Sequence, residues 1–136
     1  GKGLHIVVPL KRLHDWDTVK GFSQAIVQHM AATLPQRFTA KSGPRNRVGR
    51  IYIDYLRNGF GATTVAAWSL RARPGLGVSV PIEWSELDML THAAHWTLAN
   101  IDSRLAIGNA PWKTYPTSIQ GLHGAMKTLG YAAQKT

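Results

Sequence analysis

Apolar and polar residues follow two different rhythms along this chain, and the rhythms lay out its elements. Leu4-His5-Ile6-Val7-Val8-Pro9-Leu10 is a short, largely β-branched run closed by a proline, which predicts a buried strand. After a polar link with Asp15 and Asp17, the spacing lengthens to three and four. Val19, Phe22, Ile26, Met30 and Leu34 then share one face of a predicted helix, which Pro35 stops. Ile51-Tyr52-Ile53-Asp54-Tyr55-Leu56 is a second strongly β segment, followed by a turn at Asn58-Gly59-Phe60-Gly61. Thr63 to Leu70 predicts a third strand, and Val78 to Pro81 a fourth short strand or extended edge. Ser85, three residues before Asp88, suggests a capping box opening a helical segment to Leu90. His95 to Ile101 fits strand and helix equally. Ile119, Leu122, Met126 and Leu129 predict a C-terminal helix over 118–129.

The pattern is α+β, with a mainly antiparallel sheet in the centre and helices flanking it. Its 136 residues, 44% of them apolar, suit a single folded domain over 1–136. No run of about 18 apolar residues is present, so no membrane partner is expected. The absence of cysteine excludes disulfides, zinc-thiolate sites and thiol nucleophiles, and fits a cytoplasmic location. The opening Gly1-Lys2-Gly3 reads as the inside of a glycine loop with nothing before it, as expected of a chain cut from something longer.

Charge changes the picture most. Sixteen Lys and Arg against seven Asp and Glu give a net charge of +9, which points to a polyanionic partner or, less informatively, to a solvated basic surface. Lys41, Arg45, Arg47 and Arg50 crowd a stretch with two glycines, a proline and no acid, either a phosphate-backbone contact or a mobile loop. Arg71 and Arg73 bracket Ala72, so strand alternation would put both guanidinium groups on one face. That suits a triphosphate or DNA phosphates, or simply an exposed edge. Asp54 interrupts a β-branched strand, where aspartate is disfavoured. It is either an oxygen ligand for Mg²⁺ or Mn²⁺ or a strand-end carboxylate paired with Arg57. His5, behind the glycines, can donate to a phosphate oxygen or serve as a core histidine. Asp15-Trp16-Asp17 has the Asp-x-Asp form of a two-metal site, but its place before a helix favours capping. The five tryptophans, Trp16, Trp68, Trp84, Trp96 and Trp112, could include a base-stacking platform, but at this wide spacing they read mostly as core and none is assigned a role.

Taken together, Gly1-Lys2-Gly3-Leu4-His5-Ile6-Val7-Val8-Pro9-Leu10, Gly49 to Gly59, Gly61-Ala62-Thr63, Ser69 to Gly75, Pro81 and Trp84 to Leu87 resemble the polymerase domain of bacterial DNA ligase D, in the archaeo-eukaryotic primase superfamily. Weaker similarity reaches Pro111-Trp112. The resemblance implies the C-terminal half of a primase-polymerase fold. It implies a template-directed nucleotidyltransferase that fills gaps and extends primers in end joining, in a bacterial protein with fused ligase or nuclease domains. Its partners would be DNA ends or primer-template and NTP or dNTP, with Mg²⁺ or Mn²⁺ in the intact domain. Matched by position, Asp54 stands at a metal-binding, catalytic carboxylate, and His5, Arg71 and Arg73 at triphosphate contacts. Arg47 matches a DNA-end phosphate contact, with Lys41, Arg45 and Arg50 beside it. The family's paired aspartates and the loop's opening serine have no counterpart here, so catalysis is expected to be incomplete in this chain. Phe60 stands where the family often has a basic residue, and Arg104 matches no motif. Two other classes stay open: a non-catalytic basic DNA-binding module, and a metal-dependent phosphoesterase using His5 and Asp54 with Asp15 or Asp17.

Overall fold

The computed structural model describes residues 3–132; Gly1 and Lys2 of the glycine loop, and residues 133–136, lie outside the described residues. The chain divides into two compact units, each drawn from two stretches of sequence. No helix among the described residues is long and apolar enough to cross a membrane.

One unit combines residues 11–64 with those after 120. It is built on α1 (Trp16–Thr33), which starts where Asp15 caps it: Asp15 Oδ1 accepts the Thr18 N–H at 2.8 Å, and Asp17 lies in the first turn. Capping therefore explains the Asp-x-Asp, since a carboxylate there satisfies amides the helix leaves open. The helix stops at Leu34, whose N–H still reaches Met30 O, because Pro35 cannot continue it. Phe22 and Val27 are its buried residues, whereas Ile26, placed on the inner face by the spacing, is 39% exposed.

Opposite them lies α3 (His123–Leu129), which buries Met126 and ends at Gly130 with φ 68°. It begins five residues later than the apolar spacing suggested. Tyr131 follows, its ring 5.4 Å from that of Phe22. Gly21 makes this approach possible: a Cβ there would stand 2.6 Å from the Tyr131 hydroxyl. Full burial of a side chain like Phe22 contributes about 1.5–3 kcal/mol.

The expected mainly antiparallel sheet is not seen among the described residues, where the one sheet is a parallel pair. β1 (Phe38–Thr39) and β2 (Ile51–Tyr52) pair in parallel, with Phe38 opposite Ile51 and Thr39 opposite Tyr52. A parallel pair needs a connection long enough to bring the chain back to its starting end. Residues 40–50, the basic stretch, provide that return around a 3₁₀ turn at Pro44–Arg47. β2 is also shorter than the predicted strand: Ile53 N–H still bonds Thr39 O, but the chain then coils into a 3₁₀ turn at Leu56–Asn58. Ile51 is 63% exposed, so its side of the strand has no burial to extend the pairing.

The other unit combines residues 3–10 with 65–120. Antiparallel pairing survives here only as single bridges, Leu70 to Val78 and Gly77 to Thr97, which place three short extended segments side by side. The predicted third strand is interrupted by Trp68, whose φ of 65° is incompatible with an extended run. Gly77 sits where the middle segment crosses the next: a Cβ would lie 2.9 Å from the Ala94 backbone. The capping box falls two residues earlier than expected, Glu86 Oε2 accepting the Glu83 N–H at 2.6 Å ahead of a 3₁₀ helix at Trp84–Met89. The ambiguous stretch resolves into the Thr97 bridge followed by α2 (Asp102–Ile107). The predicted strand over Leu4–Leu10 is absent. Its side chains are largely exposed, Ile6 at 74%, and only Leu10 bridges another segment, in parallel with Gln120. β-branched residues favour a strand only where neighbours supply a ladder and a buried face, and no described segment supplies these to Leu4–Val8.

Candidate nucleotide and nucleic-acid site

In the unit built on α1, Asp54 lies just past β2 and is exposed. Its Oδ1 accepts the Leu56 N–H at 2.9 Å, and Oδ2 stands 3.9 Å from Arg57 Nε. The carboxylate thus turns the chain into the 3₁₀ turn Leu56–Asn58 and keeps Arg57 nearby. Both side chains are well exposed, so the pair itself contributes little. Arg57 also donates from Nη1 to Thr63 O at 3.0 Å, closing the loop behind the turn. Among the described residues no three His, Cys, Asp or Glu side chains come together to hold a metal ion. Asp54 is therefore one candidate oxygen ligand rather than a site. Asp15 is committed to its cap, and the hydrogen bonds from Thr18 hold its carboxyl below the ordinary value. The phosphoesterase reading thereby loses the ligand cluster it needs.

The basic stretch belongs to the same unit. Lys41, Arg45, Arg47 and Arg50 are exposed, and none enters an ion pair among the described residues. Arg45 and Arg47 lie on the Pro44–Arg47 turn, with Arg50 following directly at its end through an N–H bond to Arg47 O. Arg47 has a defined place: its guanidinium carbon lies 5.1 Å from the centroid of Tyr52, in a cation–π arrangement. Tyr52 is two residues before Asp54, so β2 carries the platform for one and leads into the other.

His5, Arg71 and Arg73 belong to the other unit. His5 is exposed in the extended lead-in rather than buried in a strand. Arg71 is half-buried, its N–H bonded to Gly77 O at 2.9 Å across the hairpin. Arg73 is exposed and its N–H bonds Arg71 O at 2.8 Å, so it lies in the turn. The two arginines thus do not share a strand face by alternation. They are neighbours at the tip of one hairpin, where Gly75, with φ 89°, and Pro74 reverse the chain.

Sequence reasoning passed over Arg104, the most buried charge among the described residues at 1% exposure. It comes from α2, donates to both carboxylate oxygens of Glu86 and to Pro81 O, and lies 5.4 Å above the ring of Trp96. This bidentate bond to Arg104 is the first cause that holds the Glu86 carboxyl below its ordinary value. The pair ties α2 to the Trp84–Met89 helix, a structural role. The only sequence signal was an arginine amid the apolar positions Ile101, Leu105 and Ile107.

Comparison with known proteins identifies relatives of the chain as a whole. The model of the LigD primase-polymerase domain matches residues 1–112. The multifunctional non-homologous end joining protein LigD of Pseudomonas aeruginosa is 54% identical over 129 residues, 93% of this chain but 15% of that protein. The bifunctional LigD of Bacillus subtilis is 25% identical over 112 residues, 82% of this chain and 18% of its own length. Among solved structures, the polymerase domain of Mycobacterium tuberculosis ligase D in complex with DNA superposes with a TM-score of 0.63 at 25% identity. The match covers 72% of this chain and 34% of that one. The chain thus spans about a sixth of the LigD proteins it matches and a third of that polymerase structure.

Proposed function

The chain belongs to the LigD primase-polymerase family, and we propose that it forms the nucleotide- and DNA-end-binding part of a template-directed nucleotidyltransferase for end-joining repair. In this reading residues 1–136 are part of one polymerase domain, acting in the bacterial cytoplasm at the nucleoid. The observation that carries the proposal is the disposition of positive charge around one well-placed carboxylate. Among the described residues the basic return loop makes no ion pair, and its Arg47 is held over Tyr52, on the strand that leads to Asp54.

Each side chain has a task suited to its surroundings. Arg45, Arg47, Lys41 and Arg50 bind the sugar-phosphate backbone of a DNA end, where unpaired surface cations release counterions without first breaking a salt bridge. Arg71, half-buried and fixed by its hairpin bond, offers a planar fork to a nucleoside triphosphate. Arg73 at the hairpin tip and His5 in the extended lead-in add donors for the same phosphates. Asp54 would serve as one ligand of Mg²⁺ or Mn²⁺, an ion whose chemistry would be to offset phosphate charge and acidify a hydroxyl. The described residues complete no such site, so the work of the chain itself is to bind and orient the polyanions.

The test is anisotropy titration of a labelled duplex with a recessed end, at two salt concentrations, with the nucleotide assayed separately. Affinity should fall steeply with salt, and Arg47→Ala should lower the slope of log affinity against log salt by about one. Arg71→Ala should weaken nucleotide binding far more than Lys113→Ala, whose side chain is exposed and matches no motif. Arg104→Ala is no control, because that residue is structural. Salt-independent binding, or no binding at low salt, would refute the proposal.

A further inference from the structure

Two exposed aromatic side chains of the α1 unit touch each other. Phe60 is 85% exposed and Trp16 56%, and their rings meet edge to face with centroids 6.2 Å apart. Their positions are fixed from below. Trp16 opens α1 directly after its Asp15 cap, on a helix anchored by Phe22 and Val27. Phe60 follows the Leu56–Asn58 turn, which is pinned to α1 where Asn58 Nδ2 donates to Ser23 Oγ at 3.0 Å. Gly59 is buried against the same helix, and a Cβ there would come within 3.3 and 3.4 Å of Lys20 Cδ and Nζ. Two wet aromatic rings on a fixed support, with an ammonium group against the backbone next to Phe60, are not what packing requires. Contiguous exposed aromatic area of this kind marks an interaction site, and among the described residues nothing within the unit covers Phe60.

We infer that Trp16 and Phe60 form a stacking platform for an unpaired nucleobase of the DNA end, with Lys20 holding the adjoining phosphate. The inference rests on the DNA-end reading above and adds a base contact to its backbone contacts. A base offers a π-face that stacks on a ring without sequence preference, and the phosphate that follows needs a cation a few ångströms away. Lys20 lies against Gly59, the residue before Phe60, and Arg57 sits in the turn that leads to it. Of the acids flanking Trp16, Asp15 is engaged in its cap, and Asp17 lies in the first helical turn. The net charge of +9 favours a nucleic-acid occupant over another copy of this basic chain. The platform is also continuous with the candidate site: the Asp54 carboxylate turns the chain into the short helix that delivers Phe60. Such a base would belong to the single strand next to a recessed end. Phe60, which the family resemblance marks as the loss of a basic contact, would replace charge with stacking.

The experiment uses the whole chain and two duplexes with overhangs of equal length and charge, one bearing adenines and the other abasic sites, compared by anisotropy at low salt. Wild type should prefer the base-bearing overhang by about five- to tenfold, at the lower end of what one stacked base contributes. Phe60→Ala should abolish that preference while leaving affinity for the abasic duplex and the far-ultraviolet spectrum unchanged. Phe60→Trp should restore it. Lys20→Ala should weaken both duplexes and reduce the salt slope. Equal binding of both duplexes by wild type, or a preference that survives Phe60→Ala, would overturn the platform and leave the basic loop standing. Failure to bind either duplex would overturn the DNA-end reading together with it. Self-association of wild type that disappears in Phe60→Ala would instead assign the rings to a second copy, against the inference.

Discussion

Replacing Glu86 with alanine would strip the most buried charge of the described residues of its counter-ion. Arg104 is 1% exposed, and with Glu86 gone only the Pro81 carbonyl and the face of Trp96 would remain to it. Breaking a buried pair in this way costs about 3–5 kcal/mol, because the surviving ion is neither hydrated nor paired. The Glu86 side chain keeps 21% of its surface exposed, so some water already reaches the pair and the lower end, about 3 kcal/mol, is expected. The reverse change should cost less. Arg104→Met keeps most of the volume and leaves a carboxylate that can turn to solvent, for a loss of about 1–2 kcal/mol. The double variant Glu86→Ala with Arg104→Met should be less destabilised than the sum of the singles, since no orphaned charge remains. Urea unfolding followed by tryptophan fluorescence gives all four values. Against a typical total of about 5–15 kcal/mol these losses are easily read. A Glu86→Ala cost below that of Arg104→Met, or strictly additive losses, would refute the reasoning.

The same pair predicts a pH dependence. Arg104 lowers the folded-state value of Glu86 below its ordinary 4.5. Its contribution is therefore fully present above about pH 4.5 and is lost as pH falls through the lowered folded value. Unfolding midpoints of wild type and Glu86→Gln should converge below that range; a constant difference would contradict the assignment. Asp15→Ala should speed hydrogen exchange at the Thr18 amide and fray the start of α1, while leaving affinity for the abasic duplex unchanged; lost affinity for that duplex would return Asp15 to the site. Gly77→Ala should destabilise the hairpin unit by about 1–3 kcal/mol, because the new methyl meets the Ala94 backbone. A neutral Gly77→Ala in urea unfolding would mean that this crossing is looser than drawn.

What could be read from sequence alone depended on how local each cause was. The cap at Asp15, the core position of Phe22 and the stop at Pro35 are decided within a few residues, and the pattern revealed them. The basic loop was visible for the same reason, as a run of charge with turn formers. Pairing partners were not legible. Leu4–Val8 has strand propensity yet forms no strand among the described residues, and β2 pairs in parallel because of where a loop returns it. Strand alternation misjudged Arg73 because a turn, not a strand, carries it. Arg104 escaped notice because its meaning lies in Glu86, Pro81 and Trp96, none of them within seven residues along the chain. The family resemblance reached further than propensity because ordered motifs carry tertiary information that single segments lack.

The most direct measurement is templated primer extension with Mn²⁺ by the LigD of Pseudomonas aeruginosa in which this chain replaces the matching segment, 54% identical to it. The chimera should extend the primer. The isolated chain, with Asp54 as its one candidate metal ligand in the described residues, should not. Asp54→Ala in the chimera should abolish extension while leaving DNA-end binding intact, and Arg71→Ala should raise the nucleotide concentration required. Undiminished extension by the Asp54→Ala chimera, or robust extension by the isolated chain, would contradict the assignment of this segment as the polyanion-binding part of a polymerase centred on Asp54.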